Sequence, residues 1–569
     1  MSPSIVFLTN RWAAGSAVAR RDFFGLALTA LPHLAALGLM IWTEGGLVAQ
    51  TAFLSTWGLL NFFWLALLRR PAVAGALSLF IIIVLILLSR LKYEMIWMTA
   101  NFLDVLIIDT DSISYALSVM PTLNRSILLA LAVPVPILAL LWWLDPIRVR
   151  RATAALGVAA CLALLTAVSL ANPQYDWEAF FSDGYVSKFS RSGVDALSGL
   201  MTQGYMESEA VVTDRLRTLP ETTCAPPARP PHIILVHDES SFDIRALPGV
   251  KVPENYGAHF ASFDGRQRSF IVEGAGGPSW YTEYNVMAGL SARSFGRFAY
   301  HVPRIAAGRV ERGLPTALRR CGYHTFTLYP ALGAFMSARA FQTTAGVQNF
   351  FDRGALGTSG IEPDRFYLDA TRRMIARERA KGPLFLYVYL AANHYPWDYR
   401  WRPDLMQQWK DLGNKPVADE YLRRQAMTAL DYPEFLAQLR RDFPGERFLI
   451  VRYGDHQPDF ASTMLEPALD EAGVARRLMN YDPRYFTTYY AIDTVNFEPV
   501  NLSSALDTIE APYLPLIVQE LAGLSLDASF AEQKRVLERC RGQFYACAGG
   551  KEARRFNRLL IDAGLIKGL

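Results

Sequence analysis

The chain has 569 residues, 51% of them hydrophobic and 19% charged, with a formal net charge of +4, against roughly 25% charged residues in an average soluble chain. The deficit is local: residues 1–172 hold 11 Lys or Arg and 7 Asp or Glu, and the rest of the chain carries 46 basic against 46 acidic side chains. A neutral second half excludes a nucleic-acid groove, which needs a basic stripe to neutralise phosphates, and five cysteines without a CxxC pair exclude zinc-ribbon and thioredoxin-type centres.

Crossing a bilayer takes about 20 apolar residues. Five runs are near that length: about 23–43, 49–68, 72–89, 126–144 and 152–171. Arg11, Arg20 and Arg21 precede the first run, Arg69 and Arg70 link the second to the third, and Arg148, Arg150 and Arg151 link the fourth to the fifth. The positive-inside rule places those segments in the cytoplasm. The 45–48 link has no basic residue, and the 90–125 link has three basic against four acidic ones; both are expected outside. An odd number of spans then carries everything after about residue 172 to the outer face. The expected organisation is a five-helix transmembrane bundle over 1–172, a juxtamembrane tether over 173–230 ending in CAPPARPP, and an extracytoplasmic domain over 231–569.

From about residue 230, short β-rich apolar runs alternate with helical stretches. Strands are expected at HIILVHD (232–238), FIVEG (270–274), HTFTLY (324–329), LFLYVYLA (384–391) and RFLIVRY (447–453), and helices at 313–320, 363–380 and 418–440. Alternation of this kind predicts an α/β domain with a largely parallel sheet and helices on both faces.

Ligand chemistry in such sheets collects beyond the carboxyl ends of the strands. The first strand ends in Asp238 and Glu239, and the last runs into Gly454, Asp455 and His456. Two carboxylates and an imidazole at one edge suit a borderline divalent cation such as Zn²⁺ or Mn²⁺; polar capping of strand ends is the structural alternative. His237 and Asp238 flank Glu239, and at most one of them faces the site. Between these strands, EGAGGPSWYTEYNVMAGL (273–290) runs a glycine-rich turn into a helix. Ser279 stands where peptide N–H groups and the helix dipole favour an anion, and is read as either an N-cap or a nucleophile. A metal beside it would allow deprotonation of its hydroxyl for covalent catalysis. Trp280, Trp397 and Trp401 lie near these motifs, where they either line an acceptor groove or pack.

Four cysteines lie in the second half. Cys540 and Cys547, in CRGQFYAC, are close enough for a local disulfide, and Cys224 and Cys321 each shortly precede a strand, which suits a second bridge in an oxidising compartment.

Together these segments resemble the alkaline phosphatase and sulfatase superfamily, most closely its membrane branch of lipoteichoic acid synthases, phosphoglycerol transferases and phosphoethanolamine transferases. The resemblance implies an alkaline-phosphatase-like (sulfatase-like) fold for 231–569. It assigns one divalent metal, Zn or Mn, to Glu239 in VHDES, Ser279 in GGPSWYTEY, and Asp455 and His456 in YGDHQP. Ser279, in the place usually held by threonine, is the implied nucleophile, followed by the Glu-aromatic pair Glu283 and Tyr284. His394 in AANHYP matches a histidine that contacts the transferred phosphate. The family often has a head-group-binding arginine near GAFMSARAF (333–341); Arg339 lies one place beyond the matching register and, with Trp280, is a substrate-binding candidate. The implied activity is transfer of phosphoglycerol or phosphoethanolamine from a phospholipid donor to a cell-envelope glycan or lipid, at the outer side of a bacterial-type cytoplasmic (inner) membrane. A sulfatase-like or phosphodiesterase hydrolase is the alternative, and no nucleic-acid partner is expected.

Overall fold

The computed structural model describes residues 25–96, 98–107, 117, 132–174, 178, 181–202, 204–209, 214–216, 224 and 227–569. The chain divides into two compact units: residues 1–106 with 119–199, and residues 107–118 with 200–569.

The first unit is helical. Its described helices are α1 (Gly25–Thr43), α2 (Gly46–Leu68), α3 (Pro71–Ile96), α4 (Pro134–Leu144), α5 (Arg151–Ala171) and α6 (Tyr185–Thr202). Among the described residues, four helices, α1, α2, α3 and α5, are long and apolar enough to cross a membrane. Four of the five expected runs are thus represented by helices of membrane-crossing length. The fourth run is represented by the 11-residue α4, and its beginning at 126–131 lies outside the described residues, as do Arg11, Arg20 and Arg21. Small residues let α2 and α5 approach closely: a Cβ on Gly58 would meet Cys161 Sγ at 2.6 Å, and one on Gly157 would meet the Phe62 ring at 2.5 Å.

The two arginine-rich links lie together at one end of this unit. Val149 N–H donates to the Arg69 carbonyl at 3.1 Å, and Asp145 Oδ2 accepts Ala72 N–H at 2.8 Å. At the other end, Glu44 takes the Val186 N–H at 3.1 Å and the Ser187 hydroxyl at 2.5 Å, and Gly184 N–H meets the Thr43 carbonyl at 2.7 Å. Part of the expected tether, Tyr185–Thr202, is thus an amphipathic helix anchored beside the basic-free link.

The second unit is built on an eight-stranded sheet of order β4-β3-β5-β1-β6-β7-β2-β8, with β1 (His232–Asp238), β2 (Arg268–Ile271), β3 (His324–Leu328), β4 (Asn349–Phe351), β5 (Leu384–Leu390), β6 (Phe448–Gly454), β7 (Thr487–Val495) and β8 (Thr508–Glu510). Only β7 runs against the others. β1, β5 and β6 are central and wholly buried, which explains why their sequences are continuous apolar runs rather than alternating ones. Ile234, Val236, Leu386, Val388 and Ile450 form one face of the core with Tyr367, Leu368 and Met374 of α8 (Asp364–Glu378) and Tyr432, Phe435 and Leu439 of α9 (Pro416–Asp442). The opposite face bears His237, Tyr387, Tyr389 and Tyr453, since Tyr389 and Tyr453 are the register partners of His237.

Asp238 is paired with Leu390 on one side and with Gly454 on the other. Glu239, Ala391 and Asp455 therefore leave the sheet side by side. Disulfides join Cys224 to Cys321 and Cys540 to Cys547.

Candidate active site

Strand alternation sends His237 and Glu239 to one side of β1 and Asp238 to the other. Asp238 turns to a buried cluster, accepting from Tyr489 Oη at 2.5 Å and lying 3.1 Å from His259 Nε2. Glu239 is buried, accepting Tyr389 Oη at 2.5 Å and the Ser240 hydroxyl at 2.8 Å. Asp455 Oδ1 takes the N–H groups of Ser240 at 2.6 Å and His456 at 2.9 Å.

Ser279 opens helix α7 (Ser279–Ala288). The preceding turn requires glycine, because Gly276 and Gly277 have φ of 72° and 148°, a region L side chains rarely enter. The N-cap position is held by Pro278, and Ser279 is the first helical residue. Its Oγ lies 3.2 Å from Glu239 Oε2 and 3.1 Å from His456 Nε2, so the N-cap reading is set aside. His456 Nε2 is in turn 3.3 Å from both Glu239 Oε1 and Asp455 Oδ2. The Nδ1 of His456 meets the Gln457 carbonyl at 2.9 Å, an acceptor only, so Nδ1 carries a proton and Nε2 faces the centre.

The structure adds His237 to this group. Its ring stacks on Tyr389 with centroids 3.7 Å apart, and Nδ1 meets the hydroxyls of Tyr387 at 2.8 Å and Tyr453 at 3.0 Å. Nε2 is thereby aimed at Asp455 Oδ2, 3.1 Å away. Both atoms are buried and neither has a hydrogen-bond partner. Buried polar atoms are rarely left so, and a cation between them would satisfy both. Ligand atoms of His237, Glu239 and Asp455 all lie within 4.8 Å of one another. The donor set of imidazole and carboxylate fits Zn²⁺ or Mn²⁺.

The charge balance agrees. Burial acts to raise the Glu239 carboxyl, but the hydrogen bond from His456 and the nearby His394 and His456 rings hold it well below the usual carboxylate range. Burial acts to lower the His456 imidazole, yet the charges of Asp455 and Glu239 push it up to about 9. The centre thus attracts positive charge, and a cation entering it competes with a proton on His456.

His394 is half-buried on the loop after β5, with Nδ1 2.7 Å from the Tyr395 carbonyl, and interacts electrostatically with Glu239. Arg339 is engaged elsewhere: it pairs with Asp352 at 2.5 Å, donates to the Phe350 carbonyl and lies over the Phe350 ring. Trp280 is buried, its Nε1 donating to the Tyr300 carbonyl at 2.9 Å with its ring edge-on to Tyr300. Glu283, one helical turn beyond Ser279, accepts from Gln342 at 2.6 Å, and Tyr284 packs against Phe295 and Phe341. His237 and Tyr389 are the site residues that sequence reasoning did not assign. A period-two count from Glu239 back to His237 carries the signal for the first; no local pattern marks the second, which arrives from another strand.

Residues 277–484 match the family model Sulfatase. No curated protein gives a significant match. Among solved structures, the chain aligns with the Streptococcus pyogenes phosphoglycerol transferase GacH, in complex with sn-glycerol-1-phosphate, at 14% identity and TM-score 0.45, over 60% of this chain and 88% of that one. It aligns with the Neisseria meningitidis lipooligosaccharide phosphoethanolamine transferase EptA at 11% identity and TM-score 0.41, over 85% and 96%. The Listeria monocytogenes lipoteichoic acid synthase LtaP aligns at 16% identity and TM-score 0.39, over 53% and 74%. The segment that matches the Sulfatase model contains Ser279, His394, Asp455 and His456, so residues 277–484 carry a sulfatase-type domain.

Proposed function

We propose that the protein is a membrane-bound, metal-dependent transferase that moves phosphoglycerol or phosphoethanolamine from a phospholipid to a cell-envelope glycan or lipid. The observation that carries this reading is the Ser279 hydroxyl at a helix N-terminus, within 3.2 Å of both Glu239 and His456 and beside the unpartnered His237 Nε2 and Asp455 Oδ2.

One divalent ion would be held by Glu239, Asp455, His456 and Ser279, with His237 closing the set; when bound, it supplies positive charge that lowers the pKa of the serine hydroxyl and neutralises phosphoryl oxygens. Ser279 Oγ attacks phosphorus, the bond to the diacylglycerol oxygen breaks, and a phospho-serine carrying the head group forms. An acceptor hydroxyl then attacks the same phosphorus, the P–Oγ bond breaks, and its proton returns to the serine. Each displacement turns its nucleophile in line, with helix N–H groups aimed at the developing charge. His394 stabilises a phosphoryl oxygen or protonates the departing diacylglycerol. The N-terminal helices hold the catalytic domain, residues 231–569, at the outer face of a bacterial-type inner membrane, where a lipid donor is at hand.

The test is partition of label. With head-group-labelled phospholipid and an envelope glycan or lipid acceptor, label should move to acceptor in preference to water and leave diacylglycerol. Label appearing only as free phospho-alcohol with every acceptor tried would make the protein a phosphodiesterase.

A further inference from the structure

The loop that leaves β5 with His394 is anchored on helix α9, and the anchors share one face of that helix. Glu420, Arg424 and Thr428 are spaced four residues apart, which stacks them on one side. Arg424 is buried; its Nη1 donates to the His394 carbonyl at 2.7 Å, and its Nη2 to the carbonyls of Pro396 at 2.7 Å and Tyr399 at 3.2 Å. Its Nε is fixed by Glu420 Oε1 at 2.7 Å, and Glu420 also receives the Trp401 N–H at 3.0 Å. At the front of the loop, Asp364 accepts the N–H groups of Ala391 and Ala392 at 3.1 and 3.0 Å and is itself held by the Thr428 hydroxyl at 2.5 Å.

The next stripe of the same helix grips the other half of the site. Tyr421 Oη donates to the Ser240 carbonyl at 3.0 Å, and Gln425 Nε2 donates to Ser241 Oγ at 3.1 Å and to the Phe242 carbonyl at 3.2 Å. These residues directly follow Glu239. One rigid element therefore sets where the His394 loop stands relative to the Glu239 carboxylate.

A buried ion pair adds little to stability that apolar packing would not, so three carbonyls gathered on one guanidinium need another reason. A planar fork fixes several acceptors in direction as well as distance, which a lysine cannot do. With the His394 carbonyl held by Arg424 and its Nδ1 held by the Tyr395 carbonyl, the direction of the imidazole follows from the backbone.

We propose that Arg424, fixed by Glu420, is a positioning residue for phosphoryl transfer that acts through His394 by holding the 394–399 loop in register with the Glu239 loop. The proposal rests on the transferase reading, in which His394 touches the transferred phosphate.

The test uses the full chain in vesicles of phosphatidylglycerol and phosphatidylethanolamine, with diacylglycerol release as the rate and the thermal unfolding midpoint as the measure of folding. Arg424→Lys should lower kcat by about 100-fold, the scale of a misplacement near 1 Å, with little change in KM or midpoint. Arg424→Lys combined with His394→Ala should be no slower than His394→Ala alone. Arg423→Lys is the control: Arg423 donates to the carbonyls of Leu405 and Trp401 and to Glu420, not to the His394 loop segment, and should stay within a few-fold of wild type. Should Arg424→Lys fail to fold, Arg424→Gln replaces it with the same expected pattern. Wild-type turnover in the Arg424 variant, a loss that multiplies with that of His394→Ala, or an equal loss in Arg423→Lys would overturn the proposal while leaving the transferase reading intact. If His394→Ala itself turned over like wild type, the reading of His394 would fall and this proposal with it.

Discussion

Gly454 is the position where one methyl group should disable the site. It ends β6, pairs with Asp238, and immediately precedes Asp455. A Cβ built there lies 1.7 Å from the Ser241 carbonyl oxygen, 2.8 Å from its carbon and 3.2 Å from Thr488 Cβ. Carbon and oxygen rest at roughly 3.3 Å or more, so the first contact is about 1.6 Å too short. No side-chain rotation relieves it, because the obstructing atom is backbone, and close approach of two backbones is what a glycine at a strand end often marks. Both sides of the clash bear site residues: Asp455 on one, and on the other the loop that follows Glu239 and donates the Ser240 N–H to Asp455 at 2.6 Å. Gly454→Ala should therefore lose about 100-fold or more in turnover and about 1–3 kcal/mol of stability, with reduced metal content. Gly360→Ala, which meets nothing within 4 Å, is the control. Diacylglycerol release, metal analysis and thermal unfolding on both variants decide the matter. Wild-type metal content and turnover in Gly454→Ala would refute the packing argument.

His237→Ala should weaken binding of Zn²⁺ or Mn²⁺ by about 10–100-fold, read by titration of the metal-free protein; unchanged affinity would remove His237 from the set. Glu283 carries a pH signature: burial pushes its carboxyl up from 4.5 to about 7 against the hydrogen bond from Gln342. Its folded value is raised, so its contribution is fully present below the unfolded value and is lost as pH rises through the folded one. Wild type should lose up to about 3 kcal/mol by this route between about pH 4.5 and 7, whereas Glu283→Gln should not; denaturant midpoints with equal pH dependence in the two proteins would refute it. The Cys224–Cys321 bridge has a sequence separation of 97 and Cys540–Cys547 one of 7. Replacing the first pair by alanine should cost about 4–5 kcal/mol and the second under about 3; the reverse order of thermal midpoints would contradict the loop-entropy account.

The central strands were legible because burial on both faces leaves apolar runs that need no partner to be recognised. HIILVHD matches β1 over its full length, and the expected ends of β3, β5 and β6 fall within one residue of those observed. β4 and β8 span three residues each, too short to carry a period, and β7, TTYYAIDTV, was passed over despite its β-branched and aromatic content. Glu239, Ser279, Asp455 and His456 were readable as strand-end and helix-start residues, and the structure brings all four together. Tyr389 and Arg424 were not, because they come to the site from β5 and α9, and their roles are defined by hydrogen bonds to residues 150 and 30 positions away in sequence. Of the five expected membrane runs, the fourth is described only from residue 132 onward, where Pro134 and Pro136 stand at the start of the 11-residue α4.

The central claim is that Ser279 becomes covalently linked to the head group. Intact-protein and peptide mass spectrometry of the metal-loaded full chain, quenched during turnover of phosphatidylglycerol or phosphatidylethanolamine, tests it directly. The account predicts an added phosphoglycerol or phosphoethanolamine mass on the peptide containing Ser279, absent from Ser279→Ala, which should still bind metal through its remaining ligands but release no diacylglycerol. Full turnover by Ser279→Ala, or an adduct mapped to a different residue during turnover, would contradict it.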